Sequence, residues 1–574
     1  MSYIHSIKIS NFRGISNLEH TFGESRFVVL IGRGDSGKTT ILKAISLALC
    51  PYWNPTISIT DFHNCDTSKP IVIQATIGDV PRELLSEQKY GLFCRLINGE
   101  TITDNVLEDG ADQTKLFLTI KLSVDKDLAP HWSITNGREG ESDVEISPSD
   151  RARFNMFFLS DYVDNHFSYS KGSPLYALVR NNRTDDSEIE RKLLELSHKA
   201  NESISKENGF QQFNAPLKAV NETVRILGLE IADLKALIEI KDNVYSQSSI
   251  SLHNASIPIH TYGKGSKRLL SIAIQLSLVQ QGGILLIDEI EQGLEPDRIV
   301  NLVRHLQKTE KGQVFITTHS SDALCEADYN ELFIVNPRKG EECIIACDKE
   351  LRPLLRSNPS SFFAKRIICC EGKTELGILR FIDSSLQEKE QGSFSSKGVW
   401  IADCGGGEKH LDTALILHSL GYDIAVFCDN DITNNDSYKL KLKDVIDNGI
   451  PVFKWADGKC CEEQLFSDIP WSEVIQLVSY VFTVNEIETL ELDTDTRIHA
   501  TDRLEDFDKD TQLIYRDKLA KRAKLNNKKK STRWFKDIDG GECLCRAWLN
   551  SLPAAEEASV LKTVFQALTT WIQK

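Results

Sequence analysis

A chain of 574 residues that is 41% hydrophobic can bury at least two sizeable cores, and about three domains is the expectation at this length. Its formal charge of −16 excludes an evenly basic nucleic-acid coat, so a polyanion would have to meet a local concentration of Lys and Arg. With no apolar run of about 18 residues and no basic, apolar leader, a soluble, unexported, cytoplasmic protein without a membrane partner is expected, while fourteen cysteines lacking any Cys-x-x-Cys pair favour reduced thiols over structural zinc.

Residues 1–26 alternate from Ile4 through Ile7, Ile9 and Phe12 to Phe22, a hairpin pattern that feeds an apolar strand, Phe27-Val-Val-Leu-Ile31. That strand runs into Gly32-Arg-Gly-Asp-Ser-Gly-Lys-Thr-Thr40 and then into a helical pattern ending at Leu49. Strand, glycine-rich loop and helix in this order form a phosphate loop. Gly32, Gly34 and Gly37 let backbone N–H groups converge on a β-phosphate, Lys38 reaches the β/γ-oxygens, and Thr39 offers its hydroxyl to Mg²⁺. Asp35, Ser36 and Thr40 complete the nucleotide-binding stretch. Asp61-Phe62 and Ile71–Gly78 read as further edge strands, residues 92–97 and 115–124 as an antiparallel layer, and residues 100–113 and 136–150 as turn-rich.

Between 184 and 245 the pattern becomes helical, with Ile189, Leu193 and Leu196, then Leu217, Val220, Val224, Ile226 and Leu229 near helical spacing. Two readings stand for this insertion: an ordinary packed subdomain, or a dimer-forming arm. Next, Thr261-Tyr-Gly-Lys-Gly-Ser-Lys-Arg268 opens a helix, a setting that suits phosphate oxygens; Lys264, Lys267 and Arg268 stand beside it, with Lys267 taken as nucleotide-binding. The run Gly282-Gly-Ile-Leu-Leu-Ile-Asp-Glu289 is a buried parallel strand ending in carboxylates. Asp288 is suited to hold Mg²⁺, and Glu289 to polarise the attacking water. A second strand, Gln313–Thr317, leads to His319, placed to sense the γ-phosphate.

Ile9-Ser-Asn-Phe-Arg-Gly14 resembles the opening of the structural-maintenance-type ABC ATPases, and residues 261–278 and Glu291-Gln-Gly-Leu-Glu-Pro296 resemble the signature helix and the loop after the acidic strand in ABC-type enzymes. The resemblance implies two heads sandwiching ATP, hence a homodimer, although the signature departs from the usual Leu-Ser-Gly-Gly wording. The first 352 residues are therefore expected to form one ABC-type head with the helical insertion, followed by a linker over 353–363.

From 364 onward, a strand ends in Glu371-Gly-Lys-Thr-Glu375, a second in Asp403-Cys-Gly-Gly-Gly407, and a third in Asp429-Asn-Asp431. Three parallel strands delivering Glu371, Asp429 and Asp431 at their carboxyl ends crowd negative charge into one crevice, which calls for cations. Glu462 and Glu463 follow a fourth strand-like segment, 451–455, and Asp403 is a weaker candidate beside a turn role. Residues 516–536 carry ten Lys or Arg and one acidic residue, Asp517, the local basic concentration that a phosphate backbone requires. Trp534 and Phe535 would stack bases there or belong to the core. Residues 539–574 read as closing helices.

Glu-Gly-x-Thr-Glu, a glycine turn and Asp-x-Asp resemble the Toprim domain of topoisomerases, primases and related nucleases. A Toprim domain after an ABC-type ATPase resembles the OLD-family endonucleases (overcoming lysogenisation defect), among them the nuclease subunit of the Gabija antiphage system. The fold implied is α/β: an ABC-type head, then a Toprim domain over 364–574 with a helical C-terminal region. The resemblance implies metal binding by Glu371, Asp429 and Asp431, with Glu375 and Glu462 or Glu463 for a second ion, and a lysine completing the site, Lys536 or else Lys530. It further implies one or two Mg²⁺ or Mn²⁺ ions, Mg²⁺-ATP, double-stranded DNA cut to leave 5′-phosphate ends, a homodimer or homotetramer, antiphage defence and a helicase or other defence-system partner. The alternative is a DNA-repair or maintenance ATPase that binds DNA without cutting. The residues leave open the DNA preference and the sign of any ATP effect; the resemblance implies inhibition.

Overall fold

The structure, a computed structural model, describes residues 2–98, 101–103, 116–138, 140–159, 164–169, 173–181, 213–229, 231, 234–239, 249–280, 282–338, 341–432, 435–524 and 534–574. The chain divides into two compact units, Met1–Arg352 and Pro353–Lys574.

In the first unit the alternating segments form an eight-stranded sheet in which Tyr3–Phe12 lies between Ile15–Thr21 and Ile71–Gly78, and Leu116–Val124 follows. Ile7, Ile9, Ile73, Ala75, Ile77, Leu118, Ile120 and Leu122 are buried, as the period of two on a strand requires when one face is covered. The second sheet has six strands in the order Met156–Leu159, Ile284–Ile287, Gln313–Thr317, Phe27–Ile31, Leu332–Arg338 and Glu341–Ala346, parallel except for the last. Helix Lys38–Ala48 packs between the sheets, with Ile41, Leu42, Ala44 and Ile45 in the core shared by both.

Polar staples hold these layers in register. Fully buried Gln313 accepts from the Ile4 N–H at 2.7 Å and donates to the Ile4 and Ser25 carbonyl oxygens at 3.1 and 2.8 Å, so its amide acts as a piece of backbone joining the two sheets. Buried Arg151 lies over the Trp132 ring at 3.9 Å and donates to the carbonyl oxygens of Cys50, Ile146 and Tyr52. Trp132 in turn donates to Leu47 O at 3.1 Å. A cation and an indole thus close the C-terminal end of the phosphate-loop helix, where free carbonyls need donors.

Three expectations change. Asp61 and Phe62 form no edge strand: Ile59–Asp61 is a single turn of 3₁₀ helix, closed by the Asp61 carboxylate on the Ser58 N–H and tied to Arg13 at 2.8 Å. Within 184–245 the described residues are helical only in part. Asn214–Ile226 is a helix, but Leu234–Glu239 is a strand paired antiparallel with Ser249–Asn254; Leu234 and Ala236, two residues apart, are both buried, a spacing that the helical reading passed over. Ile189, Leu193 and Leu196 lie outside the described residues. Finally, the segment 353–363, expected as the linker, begins at the boundary between the two units and is folded. It forms helix Arg352–Ser357 and the turn Pro359–Phe363, with Phe362 fully buried and its carbonyl accepting from Tyr422 Oη at 2.9 Å.

The second unit is built on four parallel strands in the order Val399–Asp403, Arg366–Cys370, Asp423–Cys428 and Val452–Lys454. Buried Arg366, at the start of its strand, donates to Asp423 at 3.1 Å, to the carbonyl oxygens of Trp571 and Ile572, and stacks on the Trp571 ring at 4.0 Å. That side chain ties the end of helix Val560–Gln573 to the sheet, and Leu561, Val564, Leu568 and Ile572 bury the rest of its inner face in the same core. The aromatic core continues through Phe427, Trp455 and Trp548.

Helix Lys409–Ser419 carries His410, fully buried, with Nδ1 donating to Gly407 O at 2.8 Å and Nε2 without a partner among the described residues. Burial lowers its pKa from 6.5 to about 4, against the Gly407 carbonyl, Asp412 and Glu408. The unfolded chain takes up this proton below pH 6.5 and the folded one does not, so the stability it represents is complete above 6.5 and is lost as pH falls towards 4. Between pH 7.5 and 5 the second unit should lose roughly 2 kcal/mol through this residue. Urea unfolding followed by tryptophan fluorescence should show that loss in the wild type and not in His410→Gln.

Candidate active sites

The first site lies where Phe27–Ile31 turns into Lys38–Ala48. Gly32 has φ +145° and a Cβ there would stand 2.3 Å from Val335 O, while Gly37 caps the helix at φ 93°, so both positions require glycine. Lys38 places its ammonium 2.9 Å from Gly32 O and 2.7 Å from Arg33 O. Burial lowers its pKa to about 8 even though Asp288, Glu291, Glu289 and Asp35 pull it upward. Thr39 Oγ1 donates to Asp288 Oδ1 at 2.9 Å, and Thr317 Oγ1 donates to the same oxygen at 2.6 Å. Phosphate loop, acidic strand and the strand between them therefore meet on one carboxylate, a hard-oxygen setting that fits Mg²⁺ beside a triphosphate.

Glu289 is exposed in the left-handed region at φ 49°, its N–H donating to Thr317 Oγ1 at 2.7 Å. Glu291, given no role from sequence, accepts from Thr318 Oγ1 at 2.7 Å and from the His319 N–H at 2.6 Å. It fixes the backbone that carries His319, whose pKa is lowered by partial burial and by Lys38. Of the three cations beside the signature, Arg268 does not face phosphate. It is 3% exposed and donates to Gln292 Oε1 at 2.6 Å and to the carbonyl oxygens of Asp288 and Glu289. At Gly265, a Cβ would stand 2.1 Å from Gly293 O, so the helix Lys264–Val279 begins packed against the loop after the acidic strand, and Lys267 lies in its first turn.

The second site sits at the carboxyl ends of the four-stranded sheet. Glu371 follows Arg366–Cys370, Asp429 and Asp431 follow Asp423–Cys428, and Glu462 and Glu463 open helix Cys461–Asp468. Glu371 Oε2 accepts from the Asp429 N–H at 3.4 Å, and Asp429 Oδ1 accepts from the Cys461 N–H at 2.8 Å. Glu375, in the first turn of Lys373–Glu388, accepts from the Gly372 N–H at 2.9 Å. Burial raises all three pKa values and the neighbouring carboxylates add to it: Glu375 is pushed up to about 7, Asp429 well above the carboxylate range, and Glu371 more modestly.

Glu462 is fully buried, with Lys536 Nζ 2.6 Å from Oε1 and no donor to Oε2 among the described residues. Burial pulls the Lys536 pKa down, and Glu462 with Asp429 more than reverses that. Glu463 instead faces Lys524 at 3.0 Å, caps its own helix through the Cys460 N–H, and shares Lys524 with Asp431. One ligand atom each from Asp429, Cys460 and Glu462 lie within 4.8 Å of one another, as do those of Asp431, Cys460 and Glu463. An orphaned buried carboxylate oxygen among mutually raised acids fits a divalent cation.

The structure thus brings Glu371, Glu375, Asp429, Asp431, Glu462, Glu463 and Lys536 together. It separates Asp403, which pairs with Lys373 at 2.6 Å and holds the Gly405 N–H as a turn residue. Trp534 and Phe535 are core, Phe535 stacking on Tyr480, and offer no face to a base. Lys530 and the rest of 525–533 lie outside the described residues. Cys460 and Lys524 were not anticipated; Lys524 stood in the basic run without a mark to set it apart.

The two sites define an ATPase joined to a nuclease-type domain. The AAA ATPase domain family matches residues 2–323, and the overcoming lysogenization defect protein-like TOPRIM domain matches residues 362–431. The chain belongs to the AAA ATPase domain family and carries an OLD-like TOPRIM domain, the architecture of OLD-family nucleases. No curated protein matches it in sequence. Similar solved structures include an Smc head bound to the C-winged helix domain of ScpA (14% identity, 61% of this chain and 98% of that one, TM-score 0.41). Others are an Smc head with an extended coiled coil, bound to the C-terminal domain of ScpA and derived from Pyrococcus furiosus (15%, 62% and 98%, 0.40), and the recombination mediator protein RecF (13%, 60% and 98%, 0.36). No helix among the described residues is long and apolar enough to cross a membrane.

Lys536 owes its place to a close helix contact. A Cβ on Gly377 would stand 2.1 Å from Ile538 O, one on Gly541 2.2 Å from Thr374 O, and Thr374 Oγ1 donates to Phe535 O at 2.8 Å. Helices Lys373–Glu388 and Ile538–Ser551 meet backbone to backbone. Gly541→Val should force them apart, destabilise the second unit by about 1–3 kcal/mol and draw Lys536 away from Glu462; a urea midpoint equal to the wild type would contradict this.

Proposed function

We propose that the protein is a metal-dependent DNA endonuclease regulated by ATP. The observation that carries this reading is the convergence of Glu371, Asp429 and fully buried Glu462 with Lys536 at the carboxyl edge of a parallel sheet. A DNA-binding module has no need of carboxylates gathered at this density, because like charges repel a phosphate backbone. Glu371, Asp429 and Glu462 would hold one divalent ion, with Glu375, Asp431 and Glu463 available to a second; when bound, such ions supply the charge that activates water and stabilises a leaving oxygen. Lys536 stands where it can steady developing charge on the phosphate. Hydrolysis that expels the 3′-oxygen leaves 5′-phosphate ends.

In the head, Lys38, Thr39 and Asp288 would bind Mg²⁺-ATP, Glu289 would orient water, and His319 would meet the γ-phosphate. The signature stretch Gly263–Arg268, with Lys267, has its use on the ABC plan across a homodimer, and a tetramer extends the same symmetry. ATP alters cleavage only if it binds one state of the chain better than another. Antiphage defence, with a helicase or other defence-system subunit as partner, is the biological role that the architecture supports.

Asp429→Ala should abolish nicking of plasmid DNA in Mg²⁺ or Mn²⁺ while leaving ATP hydrolysis within about twofold of wild type, since the two sites belong to separate sheets; full cutting by this variant would refute the assignment. Lys38→Ala should lose ATP binding in a filter assay. Cleavage of linear and supercoiled DNA with and without millimolar ATP gives the sign of regulation, and no response to ATP would end the coupling claim. Phage challenge of cells with the wild type or Asp431→Ala tests the defence role: only the wild type should protect.

A further inference from the structure

The pairing of Lys536 with Glu462 has a counterpart on the other side of Cys460. Asp431 and Glu463 face each other there, and an ammonium fills the space between them: Lys524 Nζ stands 3.1 Å from Asp431 Oδ2 and 3.0 Å from Glu463 Oε2. Glu463 is held in place by its own helix, since Oε2 also accepts from the Cys460 N–H at 3.0 Å. Lys524 lies on helix Lys509–Lys524, which packs along Cys461–Asp468, the helix that carries Glu463. The two carboxylate groups are thus closed by two lysines of different standing. Lys536 is 26% exposed and its partner fully buried, whereas Lys524 is 38% exposed and its partners 22% and 23%.

We propose that Lys524 is an internal counter-cation for the second metal position, competing with a divalent ion for Asp431 and Glu463. The inference rests on the metal-dependent reading of this domain and adds an order of loading to it: the position at Glu371, Asp429 and Glu462 fills first, and the second fills only when Lys524 withdraws. An ammonium between two carboxylates occupies the space a cation would take and cancels the charge that would draw it in. Its long, flexible stem lets the head leave without moving the helix. Cys460, whose sulfur lies within 4.8 Å of the ligand atoms of both carboxylate pairs, marks how close the two positions are. Arrival of an ion at the second therefore changes the field at the first.

The test is Mn²⁺ binding to the full chain without nucleotide, by isothermal titration calorimetry and by loss of the free Mn²⁺ electron paramagnetic resonance signal. Wild type should show a tight event that Asp429→Asn abolishes and a weaker one. Lys524→Gln should tighten the weaker event by about tenfold, equivalent to about 1.4 kcal/mol, and Lys524→Arg, which keeps the charge, should leave it within about twofold of wild type. The gain should vanish in the double variant Lys524→Gln/Asp431→Asn, as expected if both residues act on one position. An unchanged or weakened second event in Lys524→Gln, with the tight event intact and the thermal midpoint preserved, overturns the proposal alone. Wild type with no Asp429-dependent Mn²⁺ binding overturns the metal-dependent reading and this proposal with it.

Discussion

Like charges held out of water govern the second unit. Glu371, Glu375, Asp429 and Glu462 are brought together by two strand ends and two helix starts, and burial raises the pKa of the first three. Such a cluster persists only where positive charge reaches it. In this chain that charge comes from Lys536 on Glu462, with Lys524 serving the neighbouring Asp431 and Glu463; both lie far along the sequence from Glu371, so the C-terminal helices are part of the site. The dependence runs both ways: Lys536 keeps its proton because Glu462 and Asp429 outweigh the cost of its burial.

The first unit meets a different constraint, the fit of one helix between two sheets. Lys38–Ala48 is covered on both sides, so its ends are the places where polar groups must be met. At the N-terminal end the phosphate loop leaves backbone N–H groups for an anion. At the other, Arg151 and Trp132 take the carbonyls. The same economy of contact places Asp288 against both Thr39 and Thr317, so that loop, acidic strand and neighbouring strand cannot shift independently.

Much of this was legible in the sequence because the informative residues stand next to punctuation. The phosphate loop, Asp288 and the Glu371, Asp429 and Asp431 positions each follow an apolar run and a glycine or acidic turn, and a strand's end fixes where its next side chain points. Glu462 and Glu463 are neighbours in sequence, but the buried Glu462 faces Lys536 and Glu463 faces Lys524; a helix start sends adjacent residues about 100° apart, and only the packing of that helix tells which goes inward. Arg268 stands beside Lys267 at the signature helix start, and its inward turn depends on the carbonyls of a loop about twenty residues away. Leu234–Glu239 was read as helix because apolar residues spaced two and four apart fit either period over so short a run. The glycines Gly377 and Gly541, which bring Lys536 into place, gave no local sign of each other.

The contact between Arg366 and the carbonyls of Trp571 and Ile572 bears on how the chain is made. The first strand of the second unit rests on residues about two hundred positions further on, and Lys536 must arrive before Glu462 can be buried with its charge matched. Contacts of such long sequence separation form late, and during synthesis domains complete in order from the N-terminal side. The ATPase head can therefore assemble while residues 536–572 are still in the ribosome, and the acidic crevice stays unfinished until they emerge. The acidic centre of the second unit would then be acquired last, with the nucleotide site already formed.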